Sequence, residues 1–539
     1  MRKSFAFLAL ICLISFGCRN SKHSIPDHIT LTWAGDPHTT QTITWRTDTT
    51  EKQGDVRFTE DSLNFESNAT IFAQIDSGKF ITDIGTWYLH TVAIKNLVAG
   101  RKYYYKVGYG DNYSAISSFR TEDTISKTFS FLIFGDSQSG AAKDTMNYSF
   151  FDSTIHHAFR AYPDAKFFIN MGDLVEIGGY YHHWNNWFKA AKGVIDRIPI
   201  MPVVGNHETY QDSLEIKTEA PKYFKRQFVL PLNDYNDLQG EVYSYDYGNV
   251  HFIVLNSQFN EKKEAAWMRK EEEVWLKNDL EKNKDKKWKI VMFHKPPYYN
   301  KSERSNDTVK AVFQPIIDKY HVDLVINGHD HGIEWTYPIK DDRFYNRPSK
   351  GTIYLTAGRS GNKSYSDLKL KVWNATPLDA NLQKFPNYIS AKISDDKLIL
   401  IAKTWKGDFE EKLIIDKKND TIIQNRAISD FTYNTTRLVV FGYTLPTSVK
   451  PLKKDNIWYI PAKAFIKFFK QGDCFATGKD SMMLKIYVNG NNQNIGEFEI
   501  TEIDKTEMIS AKDIELKFGF TCKYDKAKNM LMFCKDSKE

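Results

Sequence analysis

The chain has 539 residues, far more than one core usually holds, so at about 150 residues per domain it divides into several units. With 41% hydrophobic and 26% charged residues it is globular in composition, and an aromatic share of 14% favours β-rich architecture and sticky clefts. A formal net charge of +6 is small for this length; it allows mild attraction to anionic substrates and gives no support for a nucleic-acid partner, which would gather Lys and Arg into a patch.

Met1-Arg2-Lys3 is a basic start, Phe5 to Phe16 is an apolar run too short to span a bilayer well, and Gly17-Cys18 ends it. A small residue before a cysteine, after an apolar core, is what a bacterial lipoprotein signal looks like, although Ser15 stands where Leu is usual. The expectation is a signal peptide over 1–18, cleavage that leaves Cys18 as a lipid-bearing N-terminus, and a polar tether over 19–28. Simple secretion and a retained anchor are the alternatives. The protein is then exported to a bacterial envelope, periplasmic or at the cell surface, and meets the membrane only through its lipid. Outside this segment lie Cys474, Cys522 and Cys534, an odd number that cannot all pair. Either one bridge forms, with Cys522 to Cys534 across a hairpin as the candidate, or all remain buried thiols.

Residues 29–122 read as short strands. Thr30-Leu31-Thr32-Trp33 and Thr42-Ile43-Thr44-Trp45 alternate in period two, and His90 to Ile94, Tyr103 to Val107 and Ser117 to Arg120 follow, punctuated by turns such as Ala99-Gly100. Such a pattern predicts a β-sandwich of immunoglobulin or fibronectin type. Over 128–416 buried-strand runs alternate with helical stretches, which predicts a layered α/β domain. The runs are Phe129 to Phe134, Lys166 to Met171, Ile198 to Val204, Lys289 to Phe293 and Val322 to Asn327, with Thr352 to Gly358 as a closing strand and turn. Glu264 to Lys282 reads as a helix whose stripe holds Trp267, Val274, Trp275 and Leu276. Over 435–539 the strands Val439 to Tyr443, Trp458 to Ile460 and Leu484 to Asn489 and two similar strand-to-helix segments, from Trp458 and from Glu507, predict a small α+β domain. These two segments resemble the repeat domain named after the N-terminal domain of copper amine oxidases.

Each run before residue 330 ends in an unusual polar cluster: Gly135-Asp136-Ser137-Gln138, Gly172-Asp173-Leu174-Val175-Glu176, Gly205-Asn206-His207-Glu208, Phe293-His294 and Gly328-His329-Asp330-His331. A single Gly-Asp after a strand is usually just a turn. Here Asp, Asp, Asn, His and His-x-His all arrive at the carboxyl ends of strands, the edge at which open α/β sheets bind ligands. Carboxylate, carboxamide and imidazole suit borderline divalent metals, and one carboxylate bridges two ions about 3.5–4 Å apart in two-metal hydrolases. Thiolates are absent from the set, which disfavours a purely structural zinc.

In order and content these clusters resemble the calcineurin-like metallophosphoesterases, and within them the purple acid phosphatase-like group. His90 to Gly108 (HTVAIKNLVAGRKYYYKVG) is similar to that group's fibronectin type III-like N-terminal domain, so the resemblance runs from about Ile29 to Asp416. It implies a multidomain chain with an N-terminal β-sandwich and a central four-layer domain, a β-sandwich flanked by helices. It also implies two divalent or mixed-valence ions of Fe, Zn or Mn. Asp136 and His331 would hold the first ion and Asn206, His294 and His329 the second, with Asp173 bridging. His207, beside Asn206, would contact the phosphate and protonate the leaving group.

Two departures stand out. Glu176 occupies the place of the tyrosine that gives the purple enzymes their colour, and Gln138 stands where Gly or His is usual, its carbonyl oxygen a candidate ligand to the first ion. The expected activity is hydrolysis of phosphate monoesters by a metal-activated water, on a phosphorylated small molecule or glycan. Phosphodiester cleavage of lipid, nucleotide or glycan substrates, and a non-catalytic surface binding protein, are the alternatives. His182 and His183, close behind the second cluster, and Tyr298, behind His294, are candidates to line the cleft. The competing reading makes 180–184 the start of an amphipathic helix with Trp187 and Phe188 packed inward.

Overall fold

The computed structural model describes residues 25–424, apart from 74, 126, 142–145, 212–219, 236–237, 261–265, 302–303, 369–372 and 376–383, and from 437 onward the segments named below. The signal peptide and most of the tether lie outside the described residues. No described helix is long and apolar enough to cross a membrane.

The first unit is made of β1 (Asp27–Thr32), β2 (Gln41–Thr47), β3 (Asp55–Thr59), a short helix α1 (Phe65–Asn68), β4 (Thr70–Phe72), β5 (Asp76–Thr82), β6 (Gly85–Ile94), β7 (Lys102–Tyr109), β8 (Asn112–Tyr113) and β9 (Ser117–Arg120). One sheet has the order β1-β2-β6-β5; the other runs β4-β3-β7-β8, with β9 also on β7. Period-two alternation sends Leu31, Ile43, Trp45 and Val92 from the first sheet against Val56, Tyr105, Val107 and Phe119 from the second. Each such side chain contributes about 1.5–3 kcal/mol on burial.

The central unit holds two six-stranded sheets. The first has the order β11-β10-β20-β21-β22-β23, from β10 (Thr128–Phe134), β11 (Phe168–Asn170), β20 (Asn387–Ser394), β21 (Lys397–Thr404), β22 (Glu410–Asp416) and β23 (Thr421–Gln424). The second has the order β12-β13-β14-β15-β19-β16, from β12 (Tyr243–Tyr247), β13 (Val250–Val254), β14 (Trp288–Met292), β15 (Leu324–Asn327), β16 (Ile333–Trp335) and β19 (Ile353–Ala357). A small hairpin, β17 (Ile339–Lys340) and β18 (Arg343–Phe344), stands apart.

The pleat assigns the layers. In β13 to β15, Phe252, Val254, Ile290, Met292, Leu324 and Ile326 join Phe131 and Phe167 in the core between the sheets. Their neighbours Ile253, Val291 and Val325 join a second core with Leu276 of α5 (Ala266–Lys282) and Phe313 and Ile317 of α6 (Asp307–Tyr320). On the far side of the first sheet, Phe151 and Ile155 of α2 (Ser149–Ala161) and Trp184 and Trp187 of α3 (Tyr181–Ala191) close the stack, giving helix, sheet, sheet, helix. A short helix, α4 (Lys222–Gln227), packs Phe224 on Phe228, which lies against Trp184, Trp187 and Phe188 of α3.

Two details differ from expectation. Ile198 to Val204 forms no strand of its own, because Pro199 and Pro202 lack the donors for a regular ladder. It still lies extended beside β11, with Phe168 N donating to Pro199 O (2.9 Å) and Val203 N to Asn170 O (2.9 Å). In α5 the buried stripe is Met268, Glu272, Trp275, Leu276 and Leu280, whereas Trp267 and Val274 are 38% and 39% exposed. Trp267 precedes Met268 by one residue, about 100° around the helix, so it faces solvent.

The β-domain docks onto the central unit through backbone and side chain together. Leu31 N donates to Ile195 O (3.1 Å), Ile200 N to Leu31 O (2.9 Å), and the Tyr105 hydroxyl to Asp196 O (2.8 Å). Trp33, Phe80 and Leu89 join the central unit's core, Trp33 against Phe167 and Tyr247 and Phe80 against Tyr181 and Tyr223.

Beyond 436 the described strands are β24 (Arg437–Val440), β25 (Tyr443–Leu445), β26 (Leu452–Lys454), β27 (Ile457–Pro461), β28 (Cys474–Ala476), β29 (Met483–Val488), β30 (Asn494–Ile503), β31 (Thr506–Ser510), β32 (Phe520–Asp525) and β33 (Met530–Lys535), with α7 (Ala511–Phe518) directly after β31. The expected helix after Trp458–Ile460 falls outside the described residues. In the hairpin of β32 and β33, Cys522 pairs with Phe533 and Cys534 with Thr521. The two cysteines are therefore one residue out of step with the direct pairing that a bridge across the hairpin would need.

Candidate metal centre

The parallel strands deliver their polar clusters to one edge. In register, Phe134 pairs with Asn170, Met292 with Ile326 and Asn327 with Thr356, so the residues just beyond them converge. An isolated parallel bridge from Asp136 to Arg359 ties the ends of the two sheets together. The turns are tight. A Cβ on Gly205 would lie 2.2 Å from Asp173 Oδ1, and one on Gly328 would lie 2.7 Å from Asp136 Oδ1, so only glycine permits these approaches. Asp173 and His329 themselves adopt left-handed backbone, φ 50° and 69°, the kind of strain that collects at functional sites.

Within this edge Asp173, His294 and His329 each offer one ligand atom, all within 4.8 Å of one another. Asp173 Oδ2 is 3.2 Å from His294 Nε2, which is 3.1 Å from His329 Nδ1. Asn206 is buried; its Nδ2 donates to the Tyr210 hydroxyl (2.8 Å), and its Oδ1 has no hydrogen-bond partner. Beside this group, Asp136 Oδ2 is 2.9 Å from His331 Nε2, and Asp136 Oδ1 accepts from His329 N (2.9 Å). Backbone carbonyls fix the imidazoles: Met171 O takes Nδ1 of His294 (2.7 Å) and Lys363 O takes Nδ1 of His331 (2.8 Å). Each ring thus presents Nε2 to the centre, the orientation that outer partners give to metal-bound histidines. An orphaned buried carboxamide oxygen beside converging imidazoles and carboxylates is a donor set that suits divalent cations.

The electrostatics point the same way. Burial alone would lower His294, but the Asp173 and Asp136 carboxylates outweigh it and push its pKa up to about 9. Burial works against the Asp173 carboxylate too, yet His294 and His207 hold its pKa well below the usual range. The carboxylates that favour positive charge on His294 would favour a cation at the same place.

His207 lies at the lip of the centre. Its N–H donates to Asp173 Oδ1 (2.9 Å), and its ring Nδ1 sits 2.5 Å from Glu176 O, so Nε2 is the nitrogen turned toward the centre. That atom is 3.9 Å from Asp173 Oδ2 and 3.0 Å from Lys363 Nζ. Glu208 holds the second and third clusters together: its carboxylate accepts from the N–H groups of Asp173 (2.9 Å), Leu174 (2.8 Å), Val175 (3.2 Å) and Gly205 (2.7 Å). Burial and the Asp173 charge push the Glu208 pKa up, and these N–H donors oppose the shift.

Other expected residues sit elsewhere or act differently. Gln138 is fully buried; with its amide oriented to satisfy both ends it donates to Asp173 Oδ2 (3.1 Å) and accepts from Lys363 Nζ (3.0 Å), so the carbonyl oxygen expected as a ligand is taken by the lysine. Glu176 accepts from Gly140 N (2.9 Å) and Lys363 Nζ (3.0 Å). His183 does not line the cleft: it is buried in α3, 2.8 Å from the Tyr148 hydroxyl, because the helix turns it inward with Trp184 and Trp187. His182, next along, lies on the exposed face of α3. Tyr298 is 4% exposed, packed on Tyr354 and Trp373 with its hydroxyl donating to Asp342 (2.8 Å), so it too belongs to the core.

Sequence reasoning missed Glu208, Lys363, Tyr365 and Asp330. Glu208 was visible inside its motif. Asp330 pairs with Arg304 (3.1 Å) and accepts from Asn300 N (2.6 Å), fastening the His-x-His loop to the loop behind His294. Tyr365 stacks on His331 with ring centres 4.1 Å apart.

Comparison with known proteins is consistent with this geometry. Residues 129–332 match the family described as calcineurin-like phosphoesterase, and residues 26–121 match the purple acid phosphatase N-terminal domain. The chain is 27% identical to purple acid phosphatase 15 of Arabidopsis thaliana over 190 residues, 34% of this chain and a third (33%) of that protein. It is 25% identical to purple acid phosphatase 23 of the same plant over 335 residues, 56% of this chain and 68% of that protein. Its fold is similar to that of a purple acid phosphatase isolated from yellow lupin (Lupinus luteus) seeds, with TM-score 0.57 and 19% identity over 73% of this chain and 74% of that one.

Proposed function

We propose, from the premise that this chain is a metal-dependent phosphoric ester hydrolase carrying a calcineurin-like phosphoesterase domain behind a purple acid phosphatase N-terminal domain, that it hydrolyses phosphate monoesters at a dinuclear centre. The observation that carries this reading is the convergence of Asp136, Asp173, Asn206, His294, His329 and His331 on one sheet edge with His207 Nε2 beside them.

Asp136 and His331 would hold one ion, and His294, His329 and Asn206 the other, with Asp173 between. When bound, such ions neutralise phosphate charge and lower the pKa of a water toward 7. The chain's own residues do the rest. The Glu176 carbonyl holds the His207 ring through Nδ1, so the proton that His207 gives to the leaving oxygen would be carried on Nε2, once the Lys363 ammonium that lies 3.0 Å from that atom has moved off it. Asp173 fixes the same residue through its backbone N–H, so the acid and the ligand set move as one body. Glu208 keeps both loops closed beneath them.

The substrate is read as a phosphorylated small molecule or glycan met outside the cell, with Cys18 lipidated and the protein held on a bacterial envelope. A Cys18→Ala variant is then expected in the soluble rather than the membrane fraction. With Glu176 at the place of the colour-giving tyrosine, an iron-loaded sample is expected to lack a tyrosinate-to-iron absorption band.

The deciding experiment is hydrolysis of a chromogenic phosphomonoester and the matching diester with Zn, Mn or Fe(II) added separately. Metal-dependent preference for the monoester supports the reading, and preference for the diester replaces it with phosphodiesterase action. Two bound metals without turnover on either ester would refute both.

A further inference from the structure

Lys363 belongs to no ligand set, yet its side chain crosses to the lip of the centre. Its Nζ is 3.0 Å from Glu176 Oε1, 3.0 Å from His207 Nε2 and 3.0 Å from the Gln138 carbonyl oxygen. The loop that presents it is strapped down. Ser360 N and Gly361 N both donate to Asp136 O (2.9 Å), Asn362 N donates to Gln138 O (3.0 Å), and Lys363 O holds His331 Nδ1 (2.8 Å). The Arg359 guanidinium, itself 3% exposed, clamps the same turn through Gly361 O (2.7 Å). The lysine is therefore aimed, and its side chain keeps 24% exposure at the lip.

Glu176 is the only anion paired with that ammonium among the described ion pairs, and it is also tied to Gly140 N. A phosphate oxygen arriving beside His207 would meet the ammonium as a competing anion. A monoester dianion competes better than a diester monoanion, because Coulomb attraction scales with charge.

We propose that Lys363 is a substrate-binding residue whose ammonium leaves Glu176 to hold a phosphate oxygen beside His207, and that it sets the preference for dianionic monoesters over diesters. The inference deepens the monoesterase reading and rests on it.

The test uses the metal-loaded full-length protein and its Lys363→Met, Lys363→Arg and Glu176→Gln variants, compared at equal metal occupancy and with thermal melts as a check of folding. Binding of inorganic phosphate is followed by calorimetry, and KM and kcat are measured on a monoester and a diester. Lys363→Met should weaken phosphate binding and raise the monoester KM about tenfold, the worth of one charge-assisted hydrogen bond, with a smaller change on the diester. Lys363→Arg should recover part of the loss. Glu176→Gln frees the ammonium and should tighten phosphate binding. Opposite signs from the two partners are what a merely structural ion pair would not give, so losses of equal sign would overturn the proposal. Unchanged phosphate affinity in Lys363→Met would overturn it too, while wild-type turnover left the monoesterase reading standing. Lys363-dependent phosphate binding in a wild type that cleaves neither ester would do the reverse.

Discussion

In the β-domain His90, and in the central domain His294, are both fully buried, and their surroundings drive them in opposite directions. His90 stacks on Trp45 with ring centres 5.2 Å apart and is bonded only to hydroxyls, Thr47 Oγ1 at 2.7 Å and Ser77 Oγ at 2.7 Å. Among the described residues no charged group is bonded to it, and burial pushes its pKa down to about 4. His294 has lost as much solvent but has gained Asp173 and Asp136, which carry it up to about 9. Depth alone therefore marks no site. His90, among hydroxyls, is a neutral part of the packing, whereas His294 converges with His329 and two carboxylates on an arrangement that a cation would complete. Carboxylates alone do not make such a site, since the buried His251 lies between Asp246 and Asp279 (2.7 Å each) as a structural ion pair.

The sharpest way to break that contrast is to remove the carboxylate. Asp173→Asn is expected to bring turnover to near background and to release metal, read by elemental analysis, because Asp173 lies 3.2 Å from His294 in the ligand cluster and is the carboxylate proposed to bridge the two ions. His90→Gln, in an equally buried place, should leave metal content and kcat unchanged. If Asp173→Asn kept both, the assignment of the centre would fall.

Next in size is His207→Ala, which should cost roughly 10²–10⁴-fold in kcat on an alkyl phosphate and less on a nitrophenyl ester, whose leaving group needs no proton. Equal losses on both esters would deny His207 the role of acid. Glu208→Gln should act less steeply. Its amide nitrogen would face backbone N–H donors that a carboxylate oxygen now satisfies, so metal affinity should fall about 10–100-fold and stability by about 1–3 kcal/mol. Calorimetric metal titration and thermal melts read the two effects separately.

What the sequence revealed and what it hid follow from one physical difference. Asp136, Asp173, Asn206, His294, His329 and His331 were legible because each follows an apolar run, and a parallel sheet brings the ends of such runs to one edge whatever their separation along the chain. Lys363 and Tyr365 were hidden because they come from an irregular loop after Gly358, where no periodicity reports direction. His183 and Tyr298 fail as cleft candidates for the complementary reason, and for His183 the competing helical reading holds: nearness to a motif along the chain does not fix which way a side chain faces. In α3 the helical repeat had already assigned that direction, since His183, Trp184 and Trp187 fall on one stripe. The layers of the central domain were legible in the same way. The exposed face of α5 was not, because Trp267 and Val274 are apolar residues on the solvent side.

The smallest expected effect concerns the neutral half of the comparison. His90 has a folded pKa near 4 and an ordinary value of 6.5, so between those values the unfolded chain takes up a proton that the folded chain refuses. Its contribution to stability is complete above pH 6.5, drains away as pH falls toward 4, and changes no further below that. His90→Gln keeps a hydrogen-bonding side chain without this titration. The melting temperature of the wild type minus that of the variant should therefore narrow between pH 7 and pH 4, in metal-loaded protein so that the centre does not contribute. The opposite trend would mean that His90 is charged in its pocket, and that hydroxyls alone do for a buried imidazolium what Asp173 does for His294. In that case protonation of the ring would not separate a structural histidine from a ligand in this fold, and the convergence of His294 with His329 on Asp173 would have to do so.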